Sequence, residues 1–180
     1  MLSKKMETAI NGQVNKEMYS AYLYMAMSAY ADEKGLKGIA HWFMVQFHEE
    51  MVHAMKLYEY LQDQGNTVKL AAIDKPTGSF TTALSLYEEA LKHEQYITKS
   101  INELVDLAEK EKDHASKTFL EWYVTEQVEE EKNDTEIIQV LKMIGDNTAA
   151  LYLYDKELST RTVNVPTDFS NGVSAATGAA

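Results

Sequence analysis

The sequence predicts an all-α protein, a four-helix bundle with one long crossover connection and a short fifth helix near the C-terminus. Three observations support this fold class. The 180 residues include only 2 Pro and 8 Gly, which is too few turn signals for an all-β chain. Apolar residues recur at three- and four-residue intervals through most of the chain, as expected for helices with one buried face. The breaks between these periodic segments are short, with a single long exception.

The first two predicted helices form a hairpin. The first helix begins near Ser3, a favourable N-cap residue, and ends at Gly35. The second follows Gly38 and ends at Gly65. Because only a few residues separate the two helices, we expect them to be antiparallel neighbours.

The long connection covers residues 66–80 and contains Pro76 and Gly78. At ~3.3 Å per residue it can reach on the order of 50 Å when extended. A helix of about 27 residues is roughly 40 Å long. The connection can therefore run the full length of the bundle, which makes the second and third helices parallel.

The second half of the chain repeats the hairpin arrangement. A third helix is predicted from about Thr82 to a break at residues 112–114, and a fourth from there to Gly145. A short, unusually apolar fifth helix covers roughly residues 148–158. We therefore expect one domain at residues 1–160, and a poorly ordered tail at 161–180 where the sequence becomes small and polar.

Composition narrows the classes of function. The formal net charge is −11, which disfavours sequence-independent nucleic-acid binding and favours the attraction of cations. The sequence contains no cysteine, so disulfides, iron–sulfur clusters and thiol nucleophiles are excluded. It contains no signal peptide and no apolar run of the roughly 18 residues that span a membrane. We expect a soluble, cytoplasmic protein that does not bind membranes.

Every long helix carries polar side chains within its apolar stripe. The first and third helices contribute one glutamate each, and the second and fourth contribute a pair three residues apart. These residues are Glu17, Glu50 with His53, Glu94, and Gln127 with Glu130. Since residues three or four apart share a helix face, all of these side chains are predicted to point into the bundle.

An internal repeat relates the two hairpins. A shift of 77 residues places Glu17 on Glu94, and it also places Glu49 on Glu126. The same shift places the Glu50–His53 pair on the Gln127–Glu130 pair. The two halves therefore present polar groups at equivalent positions, which would be improbable if these groups were merely solvated.

Four glutamates in one core indicate a site for two metal ions. Burying each carboxylate costs several kcal/mol, and their mutual repulsion raises their pKa values. Two divalent cations would balance the four negative charges. Oxygen ligands with one imidazole suit iron(II), manganese(II) and, less selectively, zinc, and such a site can react with O₂ or peroxide.

Five stretches of the sequence resemble the bacterial non-haem ferritins, over residues 1 to about 160. They are residues 15–24, 49–54, 92–95, 121–132 and 154–159. The glutamate pattern is also that of ferritin-like di-iron bundles. The resemblance implies an iron-storage ferroxidase that oxidises iron(II) with O₂ or hydrogen peroxide. It also implies storage of iron(III) as a hydrated oxide mineral inside a homo-oligomeric cage of 24 subunits.

The resemblance also implies roles for individual residues. The first iron would be bound by Glu17, Glu50 and His53, and the second by Glu50, Glu94 and Glu130, with Glu50 as the bridge. Gln127 would lie beside the first iron, and Tyr24 would contact a ligand carboxylate. A third iron site would use Glu49, Glu126, Glu129 and Glu130, although Glu126, Glu129 and Glu131 could instead form a solvated or cavity-facing acidic strip.

The fourth helix also predicts the subgroup. Haem-containing bacterioferritins repeat Glu-x-x-His on this helix, whereas this chain has Gln127 and Glu130. We therefore expect no haem, and we interpret Met51 as a core residue rather than a haem ligand. In addition, the apolar fifth helix is expected to pack against other copies of the chain.

Two other classes of function remain open from the sequence. One is a di-iron or di-manganese oxidase or peroxidase that acts on an organic substrate, which would need an open pocket. The other is a passive helical scaffold whose buried carboxylates stay protonated or bind zinc. Gel filtration would test the first alternative, and O₂ consumption on addition of iron(II) would test the second.

Overall fold

Five α-helices account for the fold in the computed structural model, which describes residues 1–76 and 80–173. They are α1 (Lys4–Glu33), α2 (Lys37–Asp63), α3 (Ala83–Glu111), α4 (His114–Ile144) and α5 (Thr148–Leu158). The predicted four-helix bundle with a short fifth helix is confirmed, and each predicted helix end lies within about two residues of the observed one. None of the helices in the described ranges is long and apolar enough to cross a membrane.

Local side-chain contacts explain where most helices begin. The Ser3 side chain accepts a hydrogen bond from the Met6 amide at the start of α1, and Asp113 and Asn147 cap α4 and α5 in the same way. At the start of α3, Thr82 forms a reciprocal capping box with Ser85. Each cap satisfies an amide that has no partner within its own helix.

The start of α2 depends on α5 instead. Leu36 at its N-cap position makes no side-chain cap, but Oδ1 of Asp155 accepts a hydrogen bond of 2.9 Å from the Ile39 amide. The two helices also meet at Gly38, where a Cβ atom would lie 1.6 Å from the backbone oxygen of Asp155. Only glycine allows this close approach, so Gly38 permits α5 to pack against the start of α2.

The crossover runs along α1, as its length predicted. The Leu2 amide donates to the Asn66 side chain, and the Asn15 side chain donates to the carbonyl of Ala72. Phe80 then packs on Tyr30 near the other end of α1. Because α2 ends where α1 begins, this path sets α2 and α3 parallel. Residues 77–79 of the predicted connection lie outside the described residues.

Two apolar clusters fill the bundle, one on each side of the predicted polar residues. The first contains Met27, Phe43 and Tyr87 at its centre and also includes Leu158 of α5. The second, toward the other end of the bundle, contains Ile10, Leu57, Ile97 and Leu120 among others. The polar side chains that were predicted to point inward therefore lie in a layer between two apolar cores.

The prediction that Met51 belongs to the core was wrong. Met51 and Phe47 are only partly buried, whereas Phe43 is fully buried. Each four-residue step along a helix turns about 40° beyond a full circle, so a run of such steps leaves the core face. Gln46 and Glu50 occupy the inward face of α2 at this level, and both are buried.

The C-terminal segment contacts the bundle as far as Val173. Arg161 is partly buried and Val173 is 2% exposed. The remainder of the predicted tail, residues 174–180, lies outside the described residues. On α5 itself, Leu158 packs within the chain, whereas Tyr152 and Leu153 are 61% and 68% exposed.

Candidate metal centre

The structure brings together ligands from α1 and α2 at the middle of the bundle. One ligand atom each from Glu17, Glu50 and His53 lies within 4.8 Å of the others, and all three side chains are buried. Nδ1 of His53 lies 3.6 Å from Oε2 of Glu50. This spacing allows a single cation to contact all three side chains.

A second group of three overlaps the first at His53. It comprises His53, Glu126 and Glu130, whose ligand atoms also lie within 4.8 Å of one another. Nε2 of His53 is 3.8 Å from Oε1 of Glu126. Glu94 on α3 is buried in the same layer, where its charge raises the pKa of Glu130. All four long helices therefore contribute to one site.

Two carboxylate oxygens of the predicted ligands have no hydrogen-bond partner among the residues that the structure describes. They are Oε2 of Glu17 and Oε2 of Glu50, and both belong to residues that are 1% exposed. A buried, unpaired carboxylate oxygen is costly, and a bound cation would remove that cost. The orphaned oxygens therefore fit the metal ions that the sequence predicts.

The electrostatics of the metal-free centre favour protons on its carboxylates. Burial and the charge of Glu50 raise the pKa of Glu17 from 4.5 to about 8, and the same two causes raise the pKa of Glu94 to about 7. Burial and the charge of Glu94 hold the pKa of Glu130 well above its ordinary value. Burial lowers the pKa of His53, but the negative charges around it, foremost Glu50, raise it well above its usual range. The buried carboxylates thus outnumber the one imidazole that can carry a positive charge, and a bound cation would offset the excess.

Neighbouring side chains orient the carboxylates. Gln13 donates to Oε1 of Glu17 at 2.8 Å, and Gln46 donates to Oε2 of Glu130 at 2.8 Å. The Tyr24 hydroxyl donates to Oε1 of Glu94. Such contacts fix which oxygen of each carboxylate faces the site.

Gln127 also orients Glu94. Its amide nitrogen donates to Oε2 of Glu94 at 3.0 Å and lies 3.2 Å from the Thr98 hydroxyl. Gln127 is 4% exposed. The structure therefore places its amide nitrogen on the carboxylate predicted for the second iron.

The sequence pattern did not predict the roles of Gln13 and Gln46. Each precedes a buried glutamate of its own helix by four residues, Gln13 before Glu17 and Gln46 before Glu50. Residues at this spacing share a helix face. An amide one turn before an inward glutamate is therefore the sequence signal that the two residues share.

The residues predicted for a third site are only partly assembled. Glu126 and Glu130 meet at His53, but Glu49 forms an ion pair with Arg161. Glu129 is exposed. Burial raises the pKa of Glu49, and the Arg161 guanidinium opposes that shift.

The donor set fits a hard or borderline divalent cation. It offers carboxylate oxygens from several glutamates and one imidazole, as suits iron(II), manganese(II) or zinc. Copper(I) prefers sulfur ligands, and the chain has no cysteine. The ligands come from facing helices of a bundle, which is the arrangement of carboxylate-bridged two-metal sites.

Comparisons with known proteins agree with this architecture. The model of the family described as "Ferritin-like domain" matches residues 7–144. A bacterial non-heme ferritin from Staphylococcus aureus is 41% identical over 162 residues, which cover 90% of this chain and 98% of that protein. One from Staphylococcus saprophyticus is 42% identical over 161 residues, covering 89% of this chain and 96% of the relative.

Solved structures show the same likeness in three dimensions. An open-pore ferritin from the archaeon Archaeoglobus fulgidus superposes with a TM-score of 0.88 at 46% sequence identity. The match covers 90% of this chain and 100% of that one. Both the sequence and the fold therefore assign the chain to the ferritin family.

Proposed function

We propose that this protein stores iron and acts as a ferroxidase. It oxidises iron(II) at a di-iron centre within each subunit and retains iron(III) as a hydrated oxide mineral inside a protein cage. The observation that carries this proposal is the convergence of carboxylates and one imidazole from α1, α2 and α4 within ligand distance, with Glu94 of α3 buried beside them and two carboxylate oxygens unpaired among the described residues. Relatives named bacterial non-heme ferritin, at 41% identity over most of the chain, support it.

In this proposal the ligands divide between two iron ions. Glu17, Glu50 and His53 bind the first, and Glu50, Glu94 and Glu130 bind the second. Glu50 bridges the two ions. This role agrees with the effect of its charge, which raises the pKa of each of the other three proposed carboxylate ligands. Four carboxylates offset the charge of two divalent ions and leave the centre close to neutral.

The reaction balances without an additional cofactor. Two iron(II) ions give up one electron each, and O₂ takes these two electrons with two protons to become hydrogen peroxide. With hydrogen peroxide as the oxidant, the same two electrons and two protons yield two water molecules. The iron is the substrate, and the protein holds the two ions at a spacing from which both electrons reach one oxidant.

Buried aromatic side chains favour a small substrate. Tyr24 stacks on Phe43, and Phe43 stacks on Tyr87, with ring centroids 5.9 Å and 4.9 Å apart. All three rings are at most 1% exposed. This filled core supports iron and O₂ or peroxide as reactants over a bulky organic molecule.

We further propose a cytoplasmic assembly of 24 copies. The exposed apolar side chains of Tyr152 and Leu153 on α5 support a contact between copies, since burial of such groups stabilises an assembly. The net charge of −11 suits the collection of cations in a cavity.

Iron(II) oxidation by the metal-free protein in air tests this function. We expect rapid O₂ consumption, soluble ferric product and a particle of several hundred kilodaltons in gel filtration. Glu50→Gln keeps the shape of the side chain but removes the bridging charge, and it should slow oxidation at least about tenfold. Glu103→Gln makes the same change at an exposed position of α3 and should not alter the rate. Equal rates for all three proteins would refute the proposed centre.

A further inference from the structure

Arg161 connects the C-terminal segment to the edge of the metal centre. It lies three residues after the end of α5, and one of its terminal nitrogens (Nη2) forms an ion pair with Oε2 of Glu49. The other (Nη1) donates to Oε1 of Gln46 at 2.9 Å. Both members of the ion pair are largely buried, with side chains 20% and 18% exposed.

The guanidinium is also held by an aromatic ring and by the backbone. Its central carbon lies 4.3 Å from the centroid of the Trp42 ring, which places the cation over the π face. A ring nitrogen of His41 lies 2.7 Å from the carbonyl oxygen of Arg161, close enough for the nitrogen to donate. Further along, the Val173 amide donates to Oε1 of Glu59. The segment thus follows α2 from His41 to Glu59.

Gln46 relays the position of Arg161 to the centre. Its amide oxygen accepts from Arg161 while its amide nitrogen donates to Oε2 of Glu130. Because an amide has its acceptor and its donors on opposite sides, a cation on the oxygen directs the nitrogen toward Glu130. Arg161 and Glu130 therefore share Gln46 as a hydrogen-bond partner.

We infer that Arg161 is the resident cation of Glu49, and that a third metal ion binds at Glu49 only when Arg161 leaves. This inference rests on the proposed function, since the third site adjoins the proposed di-iron centre. A guanidinium already supplies the positive charge that Glu49 requires, with a charge-assisted hydrogen bond. A metal ion must break this partly buried pair before it can bind, so the two cations compete.

Zinc binding to the full-length, metal-free protein tests the competition. Zn²⁺ suits the same ligands and has no redox chemistry. By titration calorimetry we expect each chain to bind two Zn²⁺ ions with high affinity and a third with lower affinity. Arg161→Gln should increase the affinity for the third ion at least about tenfold, because the competing guanidinium charge is removed. Lys110→Gln removes the same charge from an exposed position on α3 and should leave all three affinities unchanged.

The fluorescence of Trp42 supplies a second readout that follows Arg161 directly. The chain has two tryptophans, and the Trp122 ring lies 5.4 Å from that of His53, so the measurement uses a Trp122→Phe background. Zn²⁺ should change the Trp42 emission with the third equivalent, when the guanidinium leaves the ring. The change should be absent in Arg161→Gln and retained in Arg161→Lys.

The outcomes separate the inference from the proposed function. Two tight zinc ions with an unaltered third affinity in Arg161→Gln would overturn the role of Arg161 alone. The same holds if the Trp42 emission does not change with the third equivalent. Failure of every variant to bind two ions would contradict the di-iron centre itself.

Discussion

Gln46 on α2 and Glu130 on α4 are joined by a hydrogen bond of 2.8 Å between Nε2 of the amide and Oε2 of the carboxylate. Both side chains are buried, at 1% and 5% exposure. The bond joins α2 to α4 and occupies one of the two carboxylate oxygens of Glu130, a proposed metal ligand. The precision of the site therefore depends on an uncharged residue that binds no metal itself.

Loss of this amide should weaken the binding of the second metal ion. Gln46→Met preserves the length of the side chain but removes its donor and acceptor, so Glu130 and Arg161 lose a shared partner. Outer partners of metal ligands typically contribute 10–100-fold in affinity, and we expect a loss of about that size for the second Zn²⁺ by titration calorimetry. Gln62→Met, on an exposed turn of the same helix, is the matched control. Unchanged affinity in Gln46→Met would show that Glu130 is held by other contacts.

The metal-free protein should become less stable as the pH rises. The pKa of Glu17 is raised from 4.5 to about 8 in the folded state, so the folded chain favours the protonated carboxyl. The contribution of Glu17 to the free energy of unfolding is fully present below about pH 4.5 and is lost as the pH rises to about 8. Urea unfolding with a chelator present, from about pH 5 to about pH 9, should show a falling midpoint.

Glu17→Gln provides the control for that pH dependence, because an amide does not ionise. In this variant the urea midpoint should fall less steeply with pH. The part of the fall that is due to Glu94, with a pKa of about 7, should persist. Glu7 has a pKa lowered to about 2 by its hydrogen bond with Lys4, so it acts only below this range. A midpoint that rises with pH in the unsubstituted chain would contradict the burial of uncompensated carboxylates.

Metal binding should release protons near neutral pH. At pH 7 the carboxyl of Glu17 is largely protonated and that of Glu94 is partly so, whereas a metal ion requires their ionised forms. Titration of the metal-free protein with Zn²⁺ in buffers of different ionisation enthalpy measures this release. We expect about one proton or more per chain at pH 7, and fewer at pH 9. Release that does not diminish at the higher pH would be inconsistent with the raised pKa values.

Two glycines in helices should respond oppositely to substitution by alanine. At Gly38 a Cβ would meet the backbone oxygen of Asp155 at 1.6 Å, whereas at Gly12 it would meet no described atom within 4 Å outside its own turn of helix. Gly12→Ala should stabilise the chain by up to about 1 kcal/mol, because alanine favours the helix. Gly38→Ala should lower the unfolding midpoint and detach α5, which removes the Asp155 cap from α2.

Thermal unfolding and hydrogen exchange at the α5 amides measure both effects. If Gly38→Ala were as stable as Gly12→Ala and kept its α5 amides protected, the close packing of α2 on α5 would not hold in solution.

The order and ends of the helices were predictable because they depend on local chemistry. Ser3, Thr82 and Asn147 cap helices through contacts within three residues, and Gly35 and Gly65 adopt positive φ angles where helices end. The inward positions of the glutamates followed from helical periodicity. The prediction for Met51 was wrong because the exposure of its side chain depends on how far α2 is rotated about its axis relative to its neighbours.

By itself, the sequence determined five helices, their connections and a set of glutamates on inward faces, since each follows from spacing along one chain. Only the tertiary structure decided which carboxylate oxygens are left unpaired. It also decided that Gln46 donates a hydrogen bond to Glu130 and that Arg161 forms an ion pair with Glu49. These contacts join residues 84 and 112 positions apart. Such pairs form only when helices pack at a particular depth and rotation, and no local pattern encodes that arrangement.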